Sequence, residues 1–83
     1  MTVYGRIAAT LLNLMEEKGV RIHSQSGQMV IAIKNRPTQQ QLAEMSGTTR
    51  ESVSRVLTTL QKKGSISITG KDLIILEEEE LRT

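Results

Sequence analysis

Cysteine is absent from the 83 residues, so neither a disulfide framework nor a thiolate metal site can be built. His23 is the only histidine, which leaves an imidazole metal cluster without a second ligand of its kind. Tyr4 is the only aromatic residue, and its isolation removes the stacking platform on which RNA and single-stranded DNA are usually held. No apolar run approaches the roughly 20 residues of a membrane span, and the N-terminus lacks the apolar stretch of a signal peptide. A cytoplasmic location is expected. No nucleophile–base pair, paired-carboxylate constellation or glycine-rich phosphate loop is present, so no catalytic, cofactor or metal residue is assigned and an enzyme is not expected.

What is present fits one small globular domain. Hydrophobic residues make up 37% and charged residues 24%, a balance that excludes a disordered chain. The net charge is only +2, but four of the nine acids are consecutive, Glu77, Glu78, Glu79 and Glu80. Residues 1–76 therefore carry ten Lys and Arg against five acids, a net of +5. A basic body with an acidic tail suits a polyanionic partner.

Residues 3–18 read as a helix, with Tyr4, Ile7, Ala8, Leu11, Leu14, Met15 and Lys18 on one stripe and Gly19 as the stop. The helix starts almost at Met1, without room for a cap, which points to a chain that continues upstream. Residues 20–23 and the β-branched run 29–33 read as a hairpin, with His23 at a solvated strand end and a loop at 24–28. Asn35, Arg36 and Pro37 break the second strand. Thr38 opens a short helix, with Gln41 at capping-box spacing and Leu42, Ala43 and Met45 facing inward. Ser46-Gly47 ends it, and Gly47 can take the left-handed conformation of a tight turn between crossing helices.

The helix that follows, within residues 48–60, divides into two arcs at about 100° per residue. Val53, Val56, Leu57 and Leu60 face a core, while Arg50, Glu51, Ser54, Arg55 and Thr58 face away from it. Basic Lys62 and Lys63 with Gly64 close this helix. Residues 65–69, the Gly70-Lys71 turn and residues 73–76 then form a second hairpin, a wing. Residues 77–83 read as a solvated tail. The expected fold is α+β, a winged helix-turn-helix over 1–83: a three-helix core with small antiparallel hairpins, the helix-turn-helix at about 38–63 and the wing at about 65–76.

An exposed helix face bearing two arginines and a carboxylate suits the DNA major groove. Arg matches the paired acceptors of guanine, and Glu can accept from cytosine. Thr38, Gln40, Thr49 and Ser52 lie where helix N-termini can hold phosphate oxygens, and Lys71 at the wing tip is placed for another backbone contact. Glu51 has a rival role: if Thr48 is the N-cap, Thr48 and Glu51 form a capping box and the carboxylate is occupied locally. An alternative function is a winged-helix protein–protein interaction module whose arginine face docks an acidic partner.

Three stretches carry a family resemblance: G-R-I-A-A-T-L-L-N-L from Gly5, Q-L-A-E-M-S-G-T-T-R-E-S-V-S-R-V-L from Gln41, and L-Q-K-K-G-S-I from Leu60. The chain resembles the C-terminal DNA-binding domain of the cyclic-AMP receptor protein/FNR (Crp/Fnr) family of bacterial transcription regulators over nearly its whole length. The resemblance implies that Arg50 and Arg55 read guanines and Glu51 a cytosine, in a TGTGA-like half-site. It implies an effector-sensing domain before Met1, for an effector such as a cyclic nucleotide, with a homodimeric full-length protein and a monomeric, weakly binding fragment. It also implies an RNA polymerase contact, assigned to residues 24–28. The segment before Thr38 departs from the pattern, being several residues longer than in the cyclic-AMP receptor protein.

Overall fold

The computed structural model describes residues 2–82; Met1 and Thr83, the last residue of the expected tail, lie outside the described residues. Helix α1, Val3–Lys18, buries Ile7, Ala8, Leu11, Leu14 and Met15 as the spacing predicts, and Thr10 in addition. Its start differs from expectation. Thr2 caps it, accepting a hydrogen bond from the Gly5 N–H at 2.9 Å, so the first turn is not left open. Gly19 stops α1 in an extended conformation, and the reason for glycine is space. A Cβ there would stand 2.4 Å from the Met15 carbonyl oxygen and 2.7 Å from the Ile31 side chain.

Strands β1, Gly19–His23, and β2, Met29–Ile33, pair antiparallel with Gly19 opposite Ile33 and His23 opposite Met29. Residues 24–28 close this hairpin, the Ser24 N–H donating to the Gln28 carbonyl at 2.8 Å. Strands β3, Ile66–Thr69, and β4, Asp72–Ile75, form the wing, with Thr69 opposite Asp72 across Gly70-Lys71. Gly70 has φ +60° and Lys71 does not have positive φ, the backbone signature of a turn with glycine at its first central position.

The two hairpins are not separate. β2 pairs antiparallel with β4, Ile31 opposite Ile75 and Ile33 opposite Leu73, giving one four-stranded sheet in the order β1-β2-β4-β3. The register explains the fusion: Ile33, Leu73, Ile75 and Ile66 all lie on the sheet face turned to the helices and are almost wholly buried. Helices on one face of an antiparallel sheet give the expected α+β winged helix-turn-helix.

Helices α2, Gln39–Ser46, and α3, Arg50–Lys62, complete the expected three-helix core. Met45, expected to face inward, is 52% exposed. Ser46 takes the inward place instead, its hydroxyl 2.8 Å from the buried Thr10 hydroxyl of α1, while Thr10 donates to the Arg6 carbonyl at 3.0 Å. A buried polar pair is tolerable because each oxygen is satisfied, and it fixes α2 against α1. The tail is the other correction. Residues Glu78–Arg82 form a short helix, α4, and Leu81 is buried in the core at 4% exposure, packing the acidic segment on α1.

Candidate nucleic-acid interface

Thr38 and Gln41 make both halves of the expected capping box: the Gln41 N–H donates to the Thr38 hydroxyl at 3.1 Å and the Thr38 N–H to Gln41 Oε1 at 2.8 Å. The Thr38 hydroxyl keeps its own proton to donate outward. Gly47 then takes φ +68°, ψ 39°, the left-handed conformation that turns the chain from α2 into α3. The Thr48 N–H bonds back to the Ala43 carbonyl at 2.9 Å, and the Arg6 guanidinium donates to the Gly47 carbonyl at 3.3 Å. The turn is thus held from both sides.

Thr49, not Thr48, caps α3. Its hydroxyl accepts from the Ser52 N–H at 3.1 Å and donates its own proton to the Ser52 hydroxyl oxygen at 3.1 Å, which leaves the Ser52 hydroxyl proton free to point outward. That register removes the rival role for Glu51, because the capping-box position belongs to Ser52. Glu51 is instead in the first turn of α3, where a carboxylate is favoured by the positive end of the helix dipole. Arg50, Glu51 and Arg55 are exposed, and none has a hydrogen bond or ion-pair partner among the described residues. Behind them Val53, Leu57 and Leu60 are almost wholly buried, and Val56 packs against the core. The face rotates with the core, so it cannot turn inward without unpacking it.

The remaining expected residues fall in two places. Thr38 and Lys71 line one cleft with Asn35, Arg36, Pro37 and Gly70, so the wing tip stands beside the start of α2. Ser52 and Arg55 line another with Val3, Tyr4 and Val56. Gln40 is exposed on α2, its amide 3.4 Å from the Glu44 carboxylate, and shares neither cleft.

Sequence reasoning missed the linker before α2. Asn35 has φ +50°, a left-handed conformation that Asn tolerates better than most residues. This bends the chain so that the Arg36 N–H donates to the Lys71 carbonyl at 2.8 Å and the Arg36 guanidinium donates to the Gly70 carbonyl. Lys34 Nζ pairs with Asp72 Oδ2 at 3.2 Å, and the Asn35 N–H donates to Asp72 Oδ1 at 3.3 Å. The Lys34 hydrogen bond, with the Asn35 N–H and the nearby Arg36 charge, holds the Asp72 carboxyl below its ordinary range against a desolvation that pushes it up. The signal in the sequence was faint: an Asn before Arg-Pro, with its partner 37 positions away.

Among the described residues no group of His, Asp and Glu could hold a metal ion, and no helix is long and apolar enough to cross a membrane.

A family model described as the Crp-like helix-turn-helix domain matches residues 5–83. The chain is 35% identical over 75 residues to the cAMP-activated global transcriptional regulator CRP of Salmonella typhimurium, covering 90% of this chain and 33% of that protein. It is 32% identical over 75 residues to the cAMP-activated global transcriptional regulator Vfr of Pseudomonas aeruginosa, covering 90% and 32% respectively. The chain thus spans about a third of the length of the curated relatives it matches. Among solved structures, a CRP/FNR-family transcriptional regulator from Thermus thermophilus aligns at TM-score 0.75 and 28% identity, over 99% of this chain and 39% of that one.

Proposed function

Because this chain belongs to the Crp-like helix-turn-helix domain family, we propose that it binds duplex DNA sequence-specifically, with α3 in the major groove, and regulates transcription. The observation that carries this reading is the outer face of α3: two guanidinium groups and a carboxylate, exposed and without a partner among the described residues, on a helix whose other side is locked into the core. Arg50 and Arg55 each present a planar fork to the O6 and N7 acceptors of a guanine, and Glu51 accepts from a cytosine N4 amine. The site read is a TGTGA-like half-site.

Phosphate contacts set the register. The Thr38 and Ser52 hydroxyls, the Gln40 amide and the Thr49 backbone N–H donate from the starts of α2 and α3, where the helix dipoles favour an anion. Lys71 adds a cation from the wing tip. The proposed working form is a homodimer, whose two α3 helices reach half-sites about 34–36 Å apart. The hairpin loop at 24–28, exposed at most of its positions, is proposed to touch RNA polymerase.

A mobility-shift titration tests the reading. A duplex containing TGTGA should be retarded at lower protein concentration than a scrambled duplex of equal length and composition. Equal affinity for both, together with binding to an acidic protein partner through the arginine face, would favour a protein-interaction module instead.

A further inference from the structure

We propose that Asp72 is a positioning residue for DNA binding: its carboxylate fastens the linker before α2 to the wing and so holds Lys71 beside the N-terminus of α2. The inference rests on the DNA-binding reading above and extends it to an acidic residue that general electrostatics would count against such a role.

The wing tip has little else to hold it. β4 pairs with β2 only as far as Leu73 opposite Ile33, and β3 lies at the edge of the sheet. Asp72, Lys71 and Gly70 therefore run past the end of the β2–β4 pairing, and on the wing's own side the strand pairing that reaches them is Thr69 opposite Asp72. The linker supplies the missing support through four hydrogen bonds of one polarity. All the donors are on the linker: Lys34 Nζ, the Asn35 N–H, the Arg36 N–H and the Arg36 guanidinium. All the acceptors are on the wing: both Asp72 carboxylate oxygens and the Lys71 and Gly70 carbonyls. Two of the four end on one side chain, Asp72, whose side chain is 29% exposed.

The outcome is a geometric link between two phosphate-directed groups. Arg36 is two residues before Thr38, the cap of α2, and its backbone N–H is bonded to Lys71 itself. Fixing the linker to the wing therefore fixes Lys71 relative to the α2 N-terminus, so both can meet one stretch of DNA backbone without ordering on binding. A lysine presented by a loose hairpin tip would lose part of its contribution to that ordering.

The sign of the effect makes the test sharp. Removing an acid beside a phosphate-binding surface should tighten DNA binding if only charge matters. Loss of a positioning residue should weaken it. Binding of the chain to one TGTGA-containing duplex would be measured across a salt series for wild type, Asp72→Ala, Lys71→Ala and the double variant, with thermal unfolding followed alongside. Asp72→Ala should weaken binding several-fold and lower the salt slope by about 0.9, the loss of one phosphate contact. Lys71→Ala should then have little further effect in the Asp72→Ala background. Asp72→Asn, which keeps an acceptor for the Asn35 N–H, should shift both readouts in the same direction by less, and carries the test if Asp72→Ala does not fold. Tighter binding by the Asp72 variants, or additive effects of the two substitutions, would overturn the inference and leave the DNA-binding reading standing. No duplex binding by the wild-type chain at any salt would overturn both.

Discussion

Arg50 and Arg55 stand five positions apart on α3, about 7.5 Å along the axis at roughly 1.5 Å per residue. That separation is close to two base steps, which suits the proposed reading of a separate base pair by each guanidinium, and Glu51 lies between their directions around the helix. Neither arginine has a hydrogen-bond or ion-pair partner among the described residues, so truncating one leaves no buried partner there unpaired. Arg50→Ala and Arg55→Ala should therefore keep the unfolding temperature close to wild type while each weakens specific binding by roughly 1–3 kcal/mol and relaxes preference at one base position. Competition with duplexes changed one base pair at a time measures this. Equal losses on specific and random DNA would reduce both arginines to phosphate contacts. Glu51 is kept out of the capping box by a detail one residue wide, the placement of the N-cap at Thr49.

At the scale of elements, the helix-turn-helix was legible because its signals are local. The Thr38–Gln41 box, Gly47 and the apolar back of α3 each act within a few residues and all agree. The short α2 was ambiguous in one respect. Over eight residues the helical period does not distinguish Met45 from Ser46 as the inward position, and Ser46 faces inward because Thr10 of α1 satisfies it. The C-terminal segment misled for a different reason. Four consecutive glutamates read as solvent, yet Leu81 anchors α4 to α1, and Arg82 pairs with Glu78 at 2.7 Å on the same short helix. Leu81→Ala should destabilise the fold by about 2–5 kcal/mol, as for other buried leucines. Chemical denaturation would show this as a lower midpoint; an unchanged midpoint would mean that α4 is the expected solvated tail after all.

For the whole molecule, the groups assigned to DNA come from three separate stretches: the start of α2, the face of α3 and the wing tip. The sheet joins them. Pairing of residues 31–33 with 73–75 closes the chain on itself across about half its length, and no local pattern announces it. The linker contacts to Asp72 depend on that closure, which is why they too escaped notice. Charge follows the same division, with a basic body over residues 1–76 and the run of acids carried at and next to α4 rather than on the α3 face. This assembled surface is proposed to read bases as well as attract phosphates. Selection of bound sequences from random duplex DNA, at fixed and stated salt, with an artificially dimerised form of the chain, separates the two. Paired TGTGA-like half-sites one helical turn or a multiple of it apart should be enriched. Enrichment of no common sequence, with binding that falls off with salt equally for all duplexes, would contradict it.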